Sequence, residues 1–131
     1  MIPLARLKTL RSAKSFDKFI PQEQAVVIVY NYLCPACEQY LEELKPRMEE
    51  FNDFPIARIH MNLNWVIQEA KMTGDVTEEN TFLVERYGLG NLFPSTIFFK
   101  NGKLIKRVDG AQSPEQLKEH IKTIFDVDFV N

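Results

Sequence analysis

The stretch Cys34-Pro35-Ala36-Cys37 decides how this chain is read. It holds the only two cysteines among 131 residues, with two positions between them. Before it runs Ala25-Val26-Val27-Ile28-Val29-Tyr30, apolar and β-branched, of buried-strand length. After it, Glu38 to Phe51 sets Tyr40, Leu41, Leu44, Met48 and Phe51 at helical spacing. The pair therefore sits where a strand ends and a helix begins. Pro35 suits the first helical position, where its missing N–H is not needed and its φ is already helical. Cys34 then falls near the N-cap, its sulfur close to unpaired N–H groups and the positive end of the helix dipole. A thiolate is stabilised there and a thiol is not, which makes Cys34 the expected nucleophile. Cys37, one turn further in, is the more shielded sulfur and the expected resolving partner.

Two other readings of the pair are open at this level. A closed zinc site takes four ligands, commonly Cys and His in spaced pairs. The chain offers only His60 and His120 besides the cysteines, so such a site would need both. A purely structural disulfide is the other possibility, although so short a loop removes little entropy from the unfolded chain. Cys-x-x-Cys beside a strand–helix pattern favours redox chemistry over both, with no metal required.

Size and charge narrow the class. A chain of 131 residues makes one domain with a real core. A hydrophobic content of 45%, with 26% charged residues, is that of a globular protein. The net charge of −2 gives no bulk attraction to nucleic acid or to anionic membranes. No apolar run approaches the roughly 20 residues of a membrane helix. Met1 to Ile20 lacks the continuous apolar core of a secretory signal. Arg6, Lys8, Arg11 and Lys14 precede the first acid, Asp17, as they would in an organellar transit peptide. The segment is read instead as a first strand entering a helix. Two close cysteines without a wider framework suit a reducing compartment, and the expected location is the cytoplasm.

Taken in order, Leu4 to Leu10 is compatible with a short edge strand, and Ser12 or Ser15 can cap a brief helix ending at Pro21. Pro46 lies inside the cysteine helix and predicts a kink or break near Lys45. Pro55 to Met61 reads as a strand. Within 62–81 a helical insertion is expected: Asn64 could cap a helix carrying Trp65, Val66, Ala70 and Met72, and Thr77 a second one running to Gly88. Ser95 to Lys100 and Lys103 to Val108 flank Asn101-Gly102, a strong hairpin signal because both turn residues must tolerate positive φ. Ser113 and Pro114 open a closing helix striped by Leu117, Ile121, Ile124 and Phe125. Early crossovers give parallel strands and the late hairpin antiparallel ones, so the expected fold is α/β, a mixed central sheet flanked by helices on both faces.

In this ordered set the sequence resembles the thioredoxin family. The resemblance rests on Ser15-Phe16-Asp17, on the strand followed by Cys-x-x-Cys, and on Tyr87-Gly88 leading to Phe93-Pro94-Ser95-Thr96. It continues through Phe99-Lys100-Asn101-Gly102-Lys103 and Asp109-Gly110-Ala111 to Gln116-Leu117-Lys118. It spans nearly all of 1–131 as a single domain, apart from the 62–81 insertion. By resemblance Pro94 would be the family's cis-proline opposite the cysteines, and Phe93 and Gly110 would help a substrate chain dock. Leu33 and Pro35 would join them on the substrate-binding face. Leu33 and Pro35-Ala36 stand where thioredoxins carry Trp and Gly-Pro, and that dipeptide tunes redox potential. The family's buried acid falls on Ile28, its lysine companion on Arg58, and Glu38 follows Cys37 where thioredoxin has lysine.

The resemblance implies a thiol–disulfide oxidoreductase acting on protein or peptide disulfides through Cys34 and Cys37. It implies no organic cofactor, a recycling reductase such as thioredoxin reductase, and a monomer. A non-catalytic binding or adaptor module on the same fold is the alternative.

Overall fold

The computed structural model describes residues 7–31, 34–61, 63–68, 71–76, 81–89 and 92–129. Strand β1 (Lys8–Leu10) leads into helix α1 (Ala13–Phe19), where Ser12 and Ser15 exchange the two bonds of a capping box. Strand β2 (Gln24–Tyr30) feeds helix α2 (Pro35–Leu44), which passes at Lys45 into a 3₁₀ segment, Lys45–Phe51. Pro46 explains the change: it has no N–H to continue the ladder, and its ring crowds the preceding turn. Strand β3 is Ile56–His60.

The segment read as helical differs. A two-stranded antiparallel pair, β4 (Leu63–Gln68) with β5 (Lys71–Val76), stands there and sets Trp65 opposite Gly74. The helical expectation leaned on Asn64 as a cap. Alternation of Leu63, Trp65 and Ile67 with Asn64 and Gln68, and the β-branched Val66, Thr73 and Val76, favour extended chain instead. Helix α3 follows at Thr81–Tyr87, while Thr77 lies outside the described residues.

Strands β6 (Ser95–Lys100) and β7 (Lys103–Asp109) form a hairpin through Asn101 and Gly102, both at positive φ, and helix α4 (Pro114–Phe125) closes the chain behind its Ser113 cap. The five-stranded sheet runs β1-β3-β2-β6-β7, with β1/β3 and β3/β2 parallel and β2/β6 and β6/β7 antiparallel.

The central strand β2 shows why the sheet is covered on both sides. Val27 and Val29 point into a cluster with Phe16, Phe19, Phe82 and Leu83 from α1 and α3. Val26, Ile28 and Tyr30 point the other way, into Cys37, Tyr40, Leu41 and Leu44 of α2 and Leu117 and Ile121 of α4. A strand buried on both faces reads as a continuous apolar run, as this one does. Phe16 packs edge-on against Phe82 and Phe99 with centroids 5.3 and 5.7 Å apart, contacts worth about 0.5–1.5 kcal/mol each beyond the area they bury. The outcome for the candidate site is simple. The C-terminal end of β2 leads toward the N-terminal end of α2 at one end of the sheet's strands, beside the start of β6 and the end of β7.

Candidate redox site

Cys34 is the N-cap of α2, in extended conformation (φ −123°, ψ 101°), with Pro35 directly after it. Its carbonyl accepts from the Glu38 N–H at 3.1 Å, and its sulfur accepts from the Cys37 N–H at 3.1 Å. The two sulfurs are joined as a disulfide, with Cα atoms 5.2 Å apart. The pair is asymmetric in access. Cys34 is half-buried beside exposed Pro35 and Ala36, whereas Cys37 is 0% exposed and packed among Ile28, Tyr40 and Leu41. A partner sulfur can approach Cys34 from solvent; it cannot approach Cys37. The N–H aimed at Cys34 Sγ also favours the anion after reduction, since hydrogen bonds to a charged form lower its proton affinity.

The opposite wall comes from two loop segments. The Phe93 carbonyl oxygen lies 3.6 Å from Cys34 Sγ, and the Phe93–Pro94 peptide bond is cis. Pro94 is buried and Phe93 half-buried. Gly110 follows β7 at φ +99° and donates its N–H to the Pro94 carbonyl at 2.8 Å. Cys34, Pro35, Cys37, Phe93, Pro94 and Gly110 are thus assembled around one disulfide, while Leu33 lies outside the described residues. Below the loops, Ser95 Oγ contacts the Leu92 carbonyl at 2.9 Å and the Asp109 carboxylate at 2.8 Å. The Arg107 guanidinium, and then Ser95, hold the Asp109 carboxyl below its usual range.

A family model described as a thioredoxin-like domain matches residues 17–125, which includes both cysteines, the cis-proline and Gly110. The chain belongs to the thioredoxin-like family. It is 30% identical over 115 residues to a chloroplastic thioredoxin Y of Oryza sativa subsp. japonica, covering 86% of this chain and 59% of that protein. It is 26% identical over 110 residues to Glutaredoxin-3 of Mus musculus, covering 82% of this chain and 28% of that protein. The chain therefore spans less than two thirds of the length of these curated relatives. Its fold superposes on a thioredoxin variant from Halobacterium salinarum with a TM-score of 0.71, at 17% identity over 98% of both chains. A thioredoxin-like fold carrying a close cysteine pair supports thiol–disulfide redox chemistry in general.

Within this thioredoxin-like frame, Ile28 is fully buried in the cluster that holds Cys37 and lies in register with Arg58 on β3. Arg58 turns instead to Thr9, donating from Nε at 3.0 Å, with its guanidinium 5.7 Å from the Tyr30 ring centroid. It lines an open cleft of about 360 Å³ with Tyr30, Asn31, Glu38, Leu41, Glu42 and Lys45. Among the described residues no three Cys, His, Asp or Glu side chains converge as a metal site. His120 meets Gln112 through Nδ1, and His60 lies against the Tyr30 ring at 5.3 Å.

One group of residues at the site escaped the sequence reading. One turn below Cys37, the hydroxyl of Tyr40 lies 2.8 Å from that of Thr96, and the Gln112 amide nitrogen donates to both, at 3.3 and 3.2 Å. The Gln112 carbonyl oxygen meets Nδ1 of His120. Burial pushes the Tyr40 phenol well above its ordinary range, against the smaller opposing effects of Thr96 and Gln112, so it stays neutral. Tyr40 reads from sequence as one more member of the helix stripe. The available signal was Thr96, a hydroxyl leading the apolar run Ile97-Phe98-Phe99 of a buried strand, which requires a partner.

Proposed function

We propose that this thioredoxin-like protein is a thiol–disulfide oxidoreductase that exchanges its Cys34–Cys37 pair with disulfides of proteins or peptides. The observation that carries this reading is the placement of Cys34: at a helix N-terminus, open to solvent, with the Cys37 N–H already directed at its sulfur. In the reduced state the Cys34 thiolate attacks one sulfur of the substrate, forming a mixed disulfide and expelling the other sulfur as a thiolate. The Cys37 thiolate, its proton lost to solvent, then attacks Cys34 Sγ. The substrate leaves as a second thiolate, and the Cys34–Cys37 bond of the oxidised form is made. Two electrons pass from the dithiol to the substrate. A dithiol reductant of the thioredoxin reductase kind, or a small dithiol in vitro, returns them. Phe93, Pro94 and Gly110 offer backbone along which an extended substrate chain can lie. A reducing compartment such as the cytoplasm suits a disulfide that is formed only transiently.

The test is a pair of serine variants. Cys34→Ser abolishes reduction of a model disulfide, and Cys37→Ser accumulates a mixed disulfide with the substrate, detected by intact mass. Undiminished turnover by Cys34→Ser would overturn the assignment.

A further inference from the structure

The Tyr40–Thr96–Gln112 cluster joins three segments, α2, β6 and the loop before α4, through buried side-chain hydrogen bonds. Each member follows a site residue at short spacing. Tyr40 lies three positions after Cys37, Thr96 two after Pro94, and Gln112 two after Gly110. All three are buried, at 1%, 0% and 5% exposure. Every polar atom in the cluster is matched, and no buried side-chain nitrogen or oxygen among the described residues lacks a partner.

The docking ledge is internally rigid. β6 and β7 are laddered together, Gly110 bonds to Pro94, and Ser95 ties Leu92 to Asp109. The cysteine helix is a separate element that shares an apolar cluster with the sheet, Cys37, Tyr40, Leu41 and Leu44 meeting Ile28 of β2 and Phe98 of β6. Apolar contact is non-directional and constrains depth better than register. Hydrogen bonds constrain both, because they weaken steeply away from their preferred distance and angle. A hydroxyl–hydroxyl–amide cluster between α2, β6 and the loop before α4 therefore fixes where Cys34 Sγ stands relative to the Phe93 carbonyl.

We propose that Tyr40, Thr96 and Gln112 are positioning residues for disulfide exchange, setting the register between the Cys34 sulfur and the Phe93–Pro94–Gly110 ledge and so favouring chain-like over small disulfides. This rests on the oxidoreductase reading above. A small disulfide needs only a reachable thiolate. A peptide disulfide must lie on the ledge and present its sulfur in line with Cys34 at the same time, and misplacement between the two erodes the advantage of prior docking.

The experiment compares kcat/KM for two probes, hydroxyethyl disulfide and a cystine peptide with an extended apolar arm, with dithiothreitol as recycling reductant. In Tyr40→Phe and in Thr96→Val the peptide-to-small-disulfide ratio of kcat/KM falls roughly five-fold or more, since each variant removes two of the cluster's buried hydrogen bonds and one alone is worth about that factor. Thr96→Ser, which keeps the hydroxyl, restores the parent ratio. Gln112→Met, which keeps the volume without the amide, provides the same comparison should Tyr40→Phe fail to fold by circular dichroism. A parent-like ratio in the folded variants, with or without a fall in melting temperature, would show a purely structural role and overturn the proposal. Failure of the parent protein to reduce either probe would instead sink the oxidoreductase reading itself.

Discussion

The Gly110 N–H donates to the Pro94 carbonyl at 2.8 Å, one bond beyond the last ladder pair, Ser95 with Asp109. The hairpin that ends the sheet thus extends its pairing into the loops that face the disulfide. Gly110 holds φ at +99°, and a Cβ built there would meet nothing within 4 Å. The space is open, so the cost of a side chain is backbone strain alone. Gly110→Ala should lower stability by about 1–2 kcal/mol, a fall of roughly 5 °C in Tm. Thermal unfolding of the oxidised protein measures it; an unchanged Tm would show that the loop relaxes freely.

The two sulfurs differ in access and in hydrogen bonding, and their reactivity should differ accordingly. In the reduced protein at slightly acid pH, iodoacetamide should modify Cys34 first, since Cys37 is 0% exposed and lends its N–H to the Cys34 sulfur. Timed alkylation with peptide mass mapping checks the order. Faster labelling of Cys37 would reverse the roles.

Acid stability has an identifiable ionic component. Arg47, and after it Lys118, pull the Glu50 carboxyl from 4.5 down to about 2. Arg47 also bonds to Glu115, whose carboxyl it lowers in the same way. A carboxyl depressed by folding contributes stability above its unfolded value and loses it as pH falls through the folded one. Arg47→Ala should therefore be less stable than the parent at neutral pH, and the difference should close between pH 4.5 and about 2. Urea midpoints across that range test it. Because these groups border solvent, high salt should shrink the neutral-pH difference.

Helix α4 depends on its first turn. Ser113 Oγ accepts from the Gln116 N–H at 3.1 Å, and the Gln116 side chain returns a bond to the Ser113 N–H at 2.9 Å. Ser113→Ala removes the first bond and should cost about 1 kcal/mol, read as a lower urea midpoint with an unchanged slope. Ser113→Asp, which keeps the acceptor, should restore most of it.

The parts of this protein that were legible in its sequence are those that short-range chemistry decides. Ser113-Pro114 opens α4, Asn101-Gly102 turns the hairpin, Pro46 ends the regular helix, and Cys34-Pro35 lies at its mouth, each for reasons contained within a few residues. Residues 63–68 and 71–76 read as helical from sequence because Asn64 resembles a cap, while the β4–β5 ladder there is set by pairing between strands and not by local capping. Tyr40, Thr96 and Gln112 were invisible for a different reason. They are 56 and 16 residues apart along the chain, and only the packing of α2 across β6 brings them together. Polar residues so separated carry no periodic signature.

The break at Lys45 separates two electrical tasks that one longer helix would have merged. Nearly all of a helix's pull on an anion comes from its opening turn, so truncation at Leu44 leaves the sulfur's environment intact. The 3₁₀ continuation is thereby released to face elsewhere, and from it Arg47 and Glu50 clasp Glu115 and Lys118 on α4. Charge changes in this clasp can retune how firmly the C-terminal helix is anchored while leaving the chemistry of the dithiol untouched.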